Sequence, residues 1–488
     1  MANPVKKVLS GDFNKRKALM FFITALLTVI VWNLPISCFG IDGLTIVQQR
    51  VIAIFVMAVL LWLTEAIPAW ATSVTIIFVL LFCVSNSAFN FLKENGDEAV
   101  KLLDHQGVMA CFADPTIILF LGGFILAIAA TKSGLDVLMA KTLIKPFGHK
   151  SENVLLGFIL ITGIFSMFIS NTATAAMMLT FLAPVFKALP ADGKGRVALT
   201  MAIPIGANLG GMGTPIGTPP NAFAYKTLNE LGMGIEFGQW MMIMTPMVII
   251  MLIVAWFIVK KFFPFSEDQK EIDLKIEGDI EWNWRTWVVA ITFGITILLW
   301  VRGKAWFDID ANTVAMLPIA VFAFTGVITS EDLKDIDWGV IWMVAGGFAL
   351  GLAMNGTGLA EAAVKSIPFG NFNPIVILVM SGLICFALSN FISNTATAAL
   401  LIPILTVVSQ GMGDALAPIG GVATVIIGIA VAASTAMCLP ISTPPNAIAY
   451  STGLIEQKDM AKAGLTVGLF SLVFGYVVLI AFCKMGIL

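Results

Sequence analysis

Two identical polar motifs lie inside apolar stretches of this sequence. The motif Phe-Ile-Ser-Asn-Thr-Ala-Thr-Ala-Ala begins at Phe168 and again at Phe391, so that Ser-Asn-Thr occupies 170–172 and 393–395. Hydroxyl and amide oxygens are hard, neutral ligands for a small cation, whereas Thr hydroxyls, the NH2 groups of Asn side chains and helix N-terminal N–H groups can donate hydrogen bonds to a carboxylate. The motifs therefore indicate sites that bind a cation and an anion together. The alternative is that they only cap helices or join neighbouring membrane helices.

A serine precedes each motif at a helical spacing. Ser166 lies four residues before Ser170, and Ser389 lies four residues before Ser393. Residues with this spacing share one face of a helix, so each pair predicts a second hydroxyl one turn below the motif.

A second repeated motif predicts a break in a helix. Thr-Pro-Pro-Asn occurs at 218–221 and again at 443–446. Two successive prolines remove two backbone donors and clash with the preceding turn, and Gly217 adds backbone freedom to the first copy. Discontinuous helices at corresponding positions of two halves point to a transport site. The alternative is a proline kink that binds nothing.

The segments that carry these motifs contain no ionisable side chain. No Lys, Arg, Asp, Glu or His occurs in 153–186, 197–225, 366–413 or 415–455. A dianion there would meet no cationic side chain, and burial of uncompensated charge is prohibitive. Co-bound metal cations would compensate the dianion and couple its entry to theirs, although a neutral substrate is equally compatible with this composition. An enzyme is disfavoured, because catalysis needs titratable or metal-binding groups.

The composition of the whole chain indicates that its solvent is lipid. Of 488 residues, 58% are hydrophobic and 12% are charged, and the mean hydropathy is +0.94. A soluble domain carries about 25% charged residues. The net charge of -2 gives no basic excess that would indicate nucleic-acid binding. The cysteines are scattered and show neither metal-site spacing nor a disulfide framework.

Apolar stretches recur along the chain and predict an all-α polytopic membrane protein with about 11 spans. The motifs repeat at an offset of 223 to 225 residues, which indicates duplication of a long unit. The predicted divisions are an N-terminal span outside the repeat (1–36), a first repeat (37–262), a hydrophilic linker (263–284) and a second repeat (285–488). Each repeat is predicted to hold a re-entrant helix hairpin and a discontinuous membrane helix, at 153–189 and 197–231 in the first and at 374–409 and 417–455 in the second.

The distribution of basic residues predicts that the two repeats have opposite orientations in the membrane. One basic residue, Lys365, lies near the second Ser-Asn-Thr motif. Seven flank the first motif: Lys132, Lys141, Lys145, Lys150, Lys187, Lys194 and Arg196. Because cytoplasmic loops are enriched in Lys and Arg, the first hairpin is predicted to open to the cytoplasm and the second to the outside. A basic N-terminal segment, 6–17, places the N-terminus in the cytoplasm and the C-terminus outside.

At these motifs the sequence resembles the divalent-anion/sodium symporter family, whose members carry dicarboxylates, tricarboxylates or sulfate. Two Ser-Asn-Thr motifs, each followed by a Pro-Pro-Asn break, are its signature. The resemblance extends over nearly the whole chain and includes Trp62-Leu-Thr-Glu-Ala-Ile-Pro68. Within that segment Pro68 predicts that Glu65 lies at the end of a span.

The resemblance implies sodium-coupled symport of C4-dicarboxylates such as succinate, malate and fumarate. It implies a homodimer embedded in the lipid of a bacterial inner membrane, with a mobile transport part that moves like an elevator against a scaffold. One sodium site would use Ser166, Ser170, Asn171 and Gly217, and the other Ser389, Ser393, Asn394 and Ser442. The substrate carboxylates would be held by Asn171, Thr172, Thr218, Asn394, Thr395, Thr443 and Pro444. The alternatives are a sodium-independent dicarboxylate exchanger, or a carrier of citrate or sulfate.

Overall fold

The computed structural model of this chain describes residues 15–93, 101–187, 189, 193–266, 271, 282–366 and 372–486. Within these ranges the regular secondary structure is helical, with two isolated β-bridges. The predicted all-α class is therefore confirmed. Eight of the described helices are long and apolar enough to cross a membrane, in agreement with a polytopic membrane protein.

In the described part of the chain, nine apolar helices lie outside the hairpins and the broken helices, and one of them, Ala311–Phe324, is interrupted at Ala315. They are Lys15–Asn33, Ile46–Thr64, Ala69–Cys83, Pro115–Ser133, Phe237–Phe262, Trp284–Phe307, Ala311–Phe324, Trp338–Gly356 and Gln457–Lys484. Shorter helices connect them: Asn90–Lys93, His105–Ala110, Leu135–Ile144 and Leu359–Ser366. Ala69–Cys83 and Ala311–Phe324 are shorter than the helices that are long enough to cross a membrane. Residues 1–14 and most of the predicted linker 263–284 lie outside the described residues.

The chain divides into two compact units. The first unit consists of Met1–Cys111 and Ala345–Ile367. In it, helix Ile46–Thr64 packs between Lys15–Asn33 and Ala69–Cys83. Glu65 ends this helix in the left-handed region, with φ 46, and is exposed. Its predicted position at the end of an apolar helix is therefore observed.

The second unit consists of Phe112–Val344 and Pro368–Leu488 and contains both sequence motifs. The first hairpin is formed by helices Ser151–Ser166 and Asn171–Lys187, which are joined by the first tip, 167–170. The second hairpin is formed by Pro374–Ser389 and Asn394–Met412, which are joined by the second tip, 390–393. Each tip turns where a serine hydroxyl caps the next helix: Ser170 accepts from the N–H of Ala173 and Ser393 from that of Ala396.

Both predicted discontinuous helices are interrupted. The first broken helix has arms Lys194–Gly210 and Pro219–Glu230, separated by the first break, 211–218. The second has arms Gly421–Ser434 and Pro444–Ser451, separated by the second break, 435–443. Thr218 and Thr443 are extended, as residues before proline must be. The proline pairs begin the second arms, because a first helical turn does not need their missing N–H groups.

Small residues bring a hairpin and a broken helix into backbone contact. A Cβ on Gly210 would lie 2.2 Å from the carbonyl oxygen of Gly163, and a Cβ on Gly206 would lie 2.8 Å from that of Ile159. Only glycine allows helices to approach this closely. The arm Lys194–Gly210 is thereby held against Ser151–Ser166, the first arm of the first hairpin.

The two halves also interlock inside the second unit. The outgoing arm of the first hairpin packs against Pro444–Ser451, and the outgoing arm of the second hairpin packs against Pro219–Glu230. The outgoing arm of each hairpin therefore lies beside the second arm of the broken helix from the other half of the sequence.

Candidate substrate and cation site

One cavity of about 200 Å³ in the second unit brings the two tips and the two breaks together. Its lining includes every residue that was predicted to bind substrate. The lining residues from the motifs are Ser170, Asn171, Thr172, Gly217, Thr218, Pro219, Ser393, Asn394, Thr395, Ser442, Thr443, Pro444 and Pro445. The lining also includes five apolar residues: Phe120, Phe124, Ile216, Val340 and Met343.

Four helices begin at the wall of this cavity. The outgoing arms of the hairpins start at Asn171 and Asn394, and the second arms of the broken helices start at Pro219 and Pro444. The N-terminus of a helix carries a partial positive charge and favours anions. The prolines have no N–H to donate, so their helices contribute the dipole alone. Four positive helix ends thus face one small volume.

The first polar cluster lies immediately behind the first tip. Ser166 is buried, and its Oγ lies 2.5 Å from Asn171 Oδ1 and 2.8 Å from the carbonyl oxygen of Ala207. A hydroxyl has one proton, so it can donate to only one of these two acceptors at a time. The arrangement therefore keeps oxygen lone pairs in excess over protons, which favours a cation.

Two glycines allow further oxygens to approach this cluster. A Cβ on Gly211 would lie 2.6 Å from Asn171 Oδ1 and 3.0 Å from the carbonyl oxygen of Gly217. A Cβ on Gly217 would lie 2.3 Å from the carbonyl oxygen of Gly211 and 2.9 Å from that of Ser166. Hydroxyl, amide and backbone oxygens thus converge where the first tip meets the first break. These are the neutral oxygen donors that suit a small hard cation.

The second polar cluster lies behind the second tip and has the same serine–asparagine arrangement as the first. Ser389 Oγ lies 2.7 Å from Asn394 Oδ1 and 3.1 Å from the carbonyl oxygen of Ala433. Ser442, which stands where the first half has Gly217, donates from its Oγ to the carbonyl oxygen of Asn390 at 3.0 Å. The predicted residues of each cation site are therefore adjacent in the structure.

Asn390 fastens the second break to the second tip and was not predicted. Its Oδ1 accepts a hydrogen bond from the N–H of Cys438 at 2.7 Å, and its Nδ2 donates to the carbonyl of Phe386. In the first half the corresponding residue is Met167, whose carbonyl accepts from the Thr214 hydroxyl instead. Because the two fastenings use different residues, comparison of the repeats could not reveal them.

The asparagines of the two Pro-Pro-Asn motifs hold the breaks in shape. Asn221 Nδ2 lies 2.7 Å from the carbonyl oxygen of Thr214 and within 3.2 Å of two others, those of Gly211 and Met212. Asn446 Nδ2 donates to the carbonyl oxygens of Met437 and Leu439, both at 2.9 Å. These amides satisfy carbonyls that the interrupted helix leaves without intrahelical partners.

Asn208 also lines the cavity, and sequence reasoning did not single it out. It lies on the first arm of the first broken helix, outside both motifs, and its Nδ2 donates to Asn446 Oδ1 at 3.1 Å. The signal that could have revealed it is an isolated asparagine in an otherwise apolar segment.

The cavity has no cationic side chain in its lining. Asp337, which is exposed, is the one charged residue among those that line it. Asp337, Ser170 and Phe124 also line an adjoining space of about 370 Å³, which extends to Lys132. There, Lys132 Nζ lies 2.6 Å from Asp332 Oδ2. Hydrogen bonds from Lys132 and Thr329 lower the pKa of Asp332 to about 2.

Known proteins resemble this chain over most of its length. A family model described as "Citrate transporter" (CitMHS) matches residues 59–425. The chain is 30% identical to a protein of Staphylococcus saprophyticus named sodium-dependent dicarboxylate transporter, over 95% of this chain and 94% of that protein. The protein of the same name from Staphylococcus aureus is also 30% identical, over 89% of this chain and 86% of its own length.

A solved transporter shares the fold. The crystal structure of the YdaH transporter of Alcanivorax borkumensis, described as having an unusual topology, covers 86% of this chain and 98% of its own with a TM-score of 0.52. Its sequence identity to this chain is 13%. By its relatives the chain is therefore a transporter, and its apolar helices are those of an integral membrane protein.

Proposed function

Since the chain belongs to the divalent-anion/sodium symporter family, we propose that it is a sodium-coupled secondary transporter of C4-dicarboxylates. The observation that carries this proposal is the electrostatic character of the cavity. Four helix N-termini face it, no cationic side chain lines it, and a cluster of neutral oxygens lies behind each tip. Helix ends alone compensate only part of a dianion's charge, and bound cations would supply the rest.

Each predicted residue has a defined place in this proposal. One sodium ion binds among oxygens of Ser166, Ser170, Asn171 and Gly217, and the other among those of Ser389, Ser393, Asn394 and Ser442. The two sodium ions then lie beside the residues that bind the substrate carboxylates: Asn171, Thr172, Thr218, Asn394, Thr395, Thr443 and Pro444. Asn171 and Asn394 join the two sites, because each turns its Oδ1 toward a serine hydroxyl and lines the cavity. Anion affinity therefore rises when sodium binds.

The same proposal includes the wider setting of the transporter. We place it in a bacterial inner membrane, surrounded by lipid, as a homodimer with its N-terminus in the cytoplasm. An elevator-like movement of the hairpins and broken helices would carry the loaded cavity across the membrane. Support comes from the backbone contacts that join the first hairpin to the first broken helix, since these elements must move together.

The experiment that tests the proposal combines binding and transport. The purified protein is heated with succinate, malate, fumarate, citrate or sulfate, in sodium or in potassium salts. Stabilisation by a ligand follows mass action, so a C4-dicarboxylate should raise Tm in sodium and have little effect in potassium. In proteoliposomes, labelled succinate should accumulate only under an inward sodium gradient.

Matched variants make this test specific. Asn171→Ala and Asn394→Ala should each reduce sodium-driven succinate uptake at least tenfold. Asn373→Ala is the control, since Asn373 only caps the far end of the second hairpin, where it accepts from Ile375 and Val376. Unchanged uptake in the double variant Asn171→Ala/Asn394→Ala would refute the proposal. Equal uptake with and without the gradient would identify a sodium-independent exchanger.

Citrate is the second candidate substrate, because the matching family model is described as a citrate transporter. Citrate has one carboxylate more than succinate and needs a larger volume and more compensating charge. Competition distinguishes the two substrates: a citrate carrier should bind citrate more tightly than succinate when sodium is saturating.

A further inference from the structure

Asn208 is among the residues that line the cavity, and its side-chain oxygen has no partner among the described residues. The residue is 1% exposed. The neighbouring Asn446 fixes the orientation of the Asn208 amide. The Nδ2 of Asn446 already donates to the carbonyl oxygens of Met437 and Leu439. Asn446 can therefore offer only Oδ1, and Asn208 must turn Nδ2 toward it. The remaining oxygen is an acceptor in a side chain that lines the cavity.

The comparable residue of the second half does not line the cavity. The carbonyls of Ala207 and Ala433 accept from the paired serines Ser166 and Ser389, so the residue that follows each alanine is comparable. After Ala433 comes Ser434, which is buried but does not line the cavity. The cavity lining is therefore asymmetric at this position.

A buried acceptor without a partner is costly and is recovered only by a group that brings a proton or a positive charge. A carboxylate brings neither and would be repelled by the oxygen. A hydroxyl group supplies the missing proton. A third cation is less suitable, since two sodium ions and one dianion already sum to zero charge.

We propose that Asn208 is a specificity-determining residue whose Oδ1 accepts a hydrogen bond from a substrate hydroxyl. This inference rests on the proposed function and deepens it, because it names the preferred substrate class as 2-hydroxydicarboxylates. Malate and succinate have the same four-carbon chain and the same two carboxylates, and they differ by that hydroxyl. Comparison of the two anions therefore isolates the contribution of Asn208.

The test measures the ratio of two affinities. In proteoliposomes with an inward sodium gradient, unlabelled malate or succinate competes with labelled succinate for uptake. The concentration of succinate that halves uptake is divided by the concentration of malate that halves it. Asn208→Ala should lower the preference for malate over succinate about fivefold, the effect of one neutral hydrogen bond. Ser434→Ala is the matched control and should leave the ratio unchanged. If Asn208 had a purely structural role, its replacement would weaken the binding of both anions equally and would not change this ratio.

Other outcomes separate the possible errors. If Asn208→Ala does not fold, Asn208→Leu removes the same oxygen while filling the space. An unchanged ratio in the variant that folds overturns the inference, whether or not total uptake falls. An unchanged ratio with a higher sodium requirement would assign the oxygen to a cation instead, which also overturns it. If neither anion competes in the wild-type protein, the proposed function itself has failed.

Discussion

Lys226 and Asp114 form an ion pair that joins the second arm of the first broken helix to the start of helix Pro115–Ser133. The side chains are 16% and 15% exposed, respectively. Asp114 also caps its helix by accepting from the N–H of Thr116, and Lys226 lies 3.2 Å from Glu230. The pair is thus largely removed from water and tied into both elements.

Removal of the charge on Asp114 should destabilise the protein. Asp114→Asn keeps an oxygen for the helix cap but removes one anionic partner of Lys226, which still contacts Glu230. Loss of one partner of a buried pair costs about 3–5 kcal/mol, and the contact with Glu230 should reduce this to about 1–2 kcal/mol. The measurement is Tm of the purified protein, which should fall by several degrees.

The controls for this prediction use a second pair and a double variant. Glu331→Gln breaks the exposed pair with Lys334, and exposed pairs contribute little, so Tm should not change. Asp114→Asn/Lys226→Met should recover part of the loss, because the largely buried cation is removed together with its anion. A double variant that is less stable than Asp114→Asn alone would contradict this explanation.

Ser166→Ala and Ser389→Ala should each weaken sodium binding more than anion binding. Each substitution removes one hydroxyl oxygen from a cluster and releases the Oδ1 of its asparagine. We expect the sodium concentration for half-maximal uptake to rise about tenfold, the effect of about 1.4 kcal/mol. Sodium titration of succinate uptake measures it. Ser471→Ala, in the buried face of helix Gln457–Lys484 and outside the cavity lining, serves as control.

Gly217→Ala should abolish sodium-stimulated uptake. Its Cβ would lie 2.3 Å from the carbonyl oxygen of Gly211, which belongs to the backbone and cannot rotate away. The first break would have to shift and its oxygens would no longer converge. Gly294→Ala is the matched control, because a Cβ there meets nothing within 4 Å and alanine favours the helix. Full sodium response in Gly217→Ala would show that the close approach of these oxygens is not needed.

The contribution of the Lys132–Asp332 pair to protein stability should not depend on pH in the physiological range. Because the pKa of Asp332 is lowered to about 2, its stabilising effect is complete above the unfolded value near 4 and is lost as pH falls through about 2. The difference in Tm between the wild type and Asp332→Asn should therefore be constant from about pH 5 to 8. A difference that changes within that range would contradict the depressed pKa.

The repeated motifs were sufficient to predict where the chain turns and breaks. The helical basis of the serine prediction was wrong, because the first arms of the hairpins end at Ser166 and Ser389, before the tips. Their hydroxyls instead lie beside Asn171 and Asn394 across the tips, so the pairing depends on how each tip turns and not on a shared helix face. The proline pairs, by contrast, fix the ends of helices by local backbone chemistry.

The unpredicted residues are those that meet through tertiary packing. Asn208 approaches Asn446 from the other half of the chain, and Asp337 reaches the cavity from a distant loop. Asn390 replaces Met167 at the equivalent position and fastens the break by a different hydrogen bond. Periodicity carries no information about such contacts, since they depend on how the arms of one half pack against those of the other.

The uncharged tips and breaks have an electrical consequence. Voltage does work on moving charge, about 2.3 kcal/mol per elementary charge for each 100 mV, and these segments carry no ionisable side chain of their own. In the proposed mechanism, the empty carrier would return without transferring current, so each turnover would displace only the charge of its cargo. Two sodium ions with one dianion would be silent in a voltage clamp, and every additional sodium ion would add one elementary charge. The current recorded per molecule of dicarboxylate would thus count the ions that accompany it.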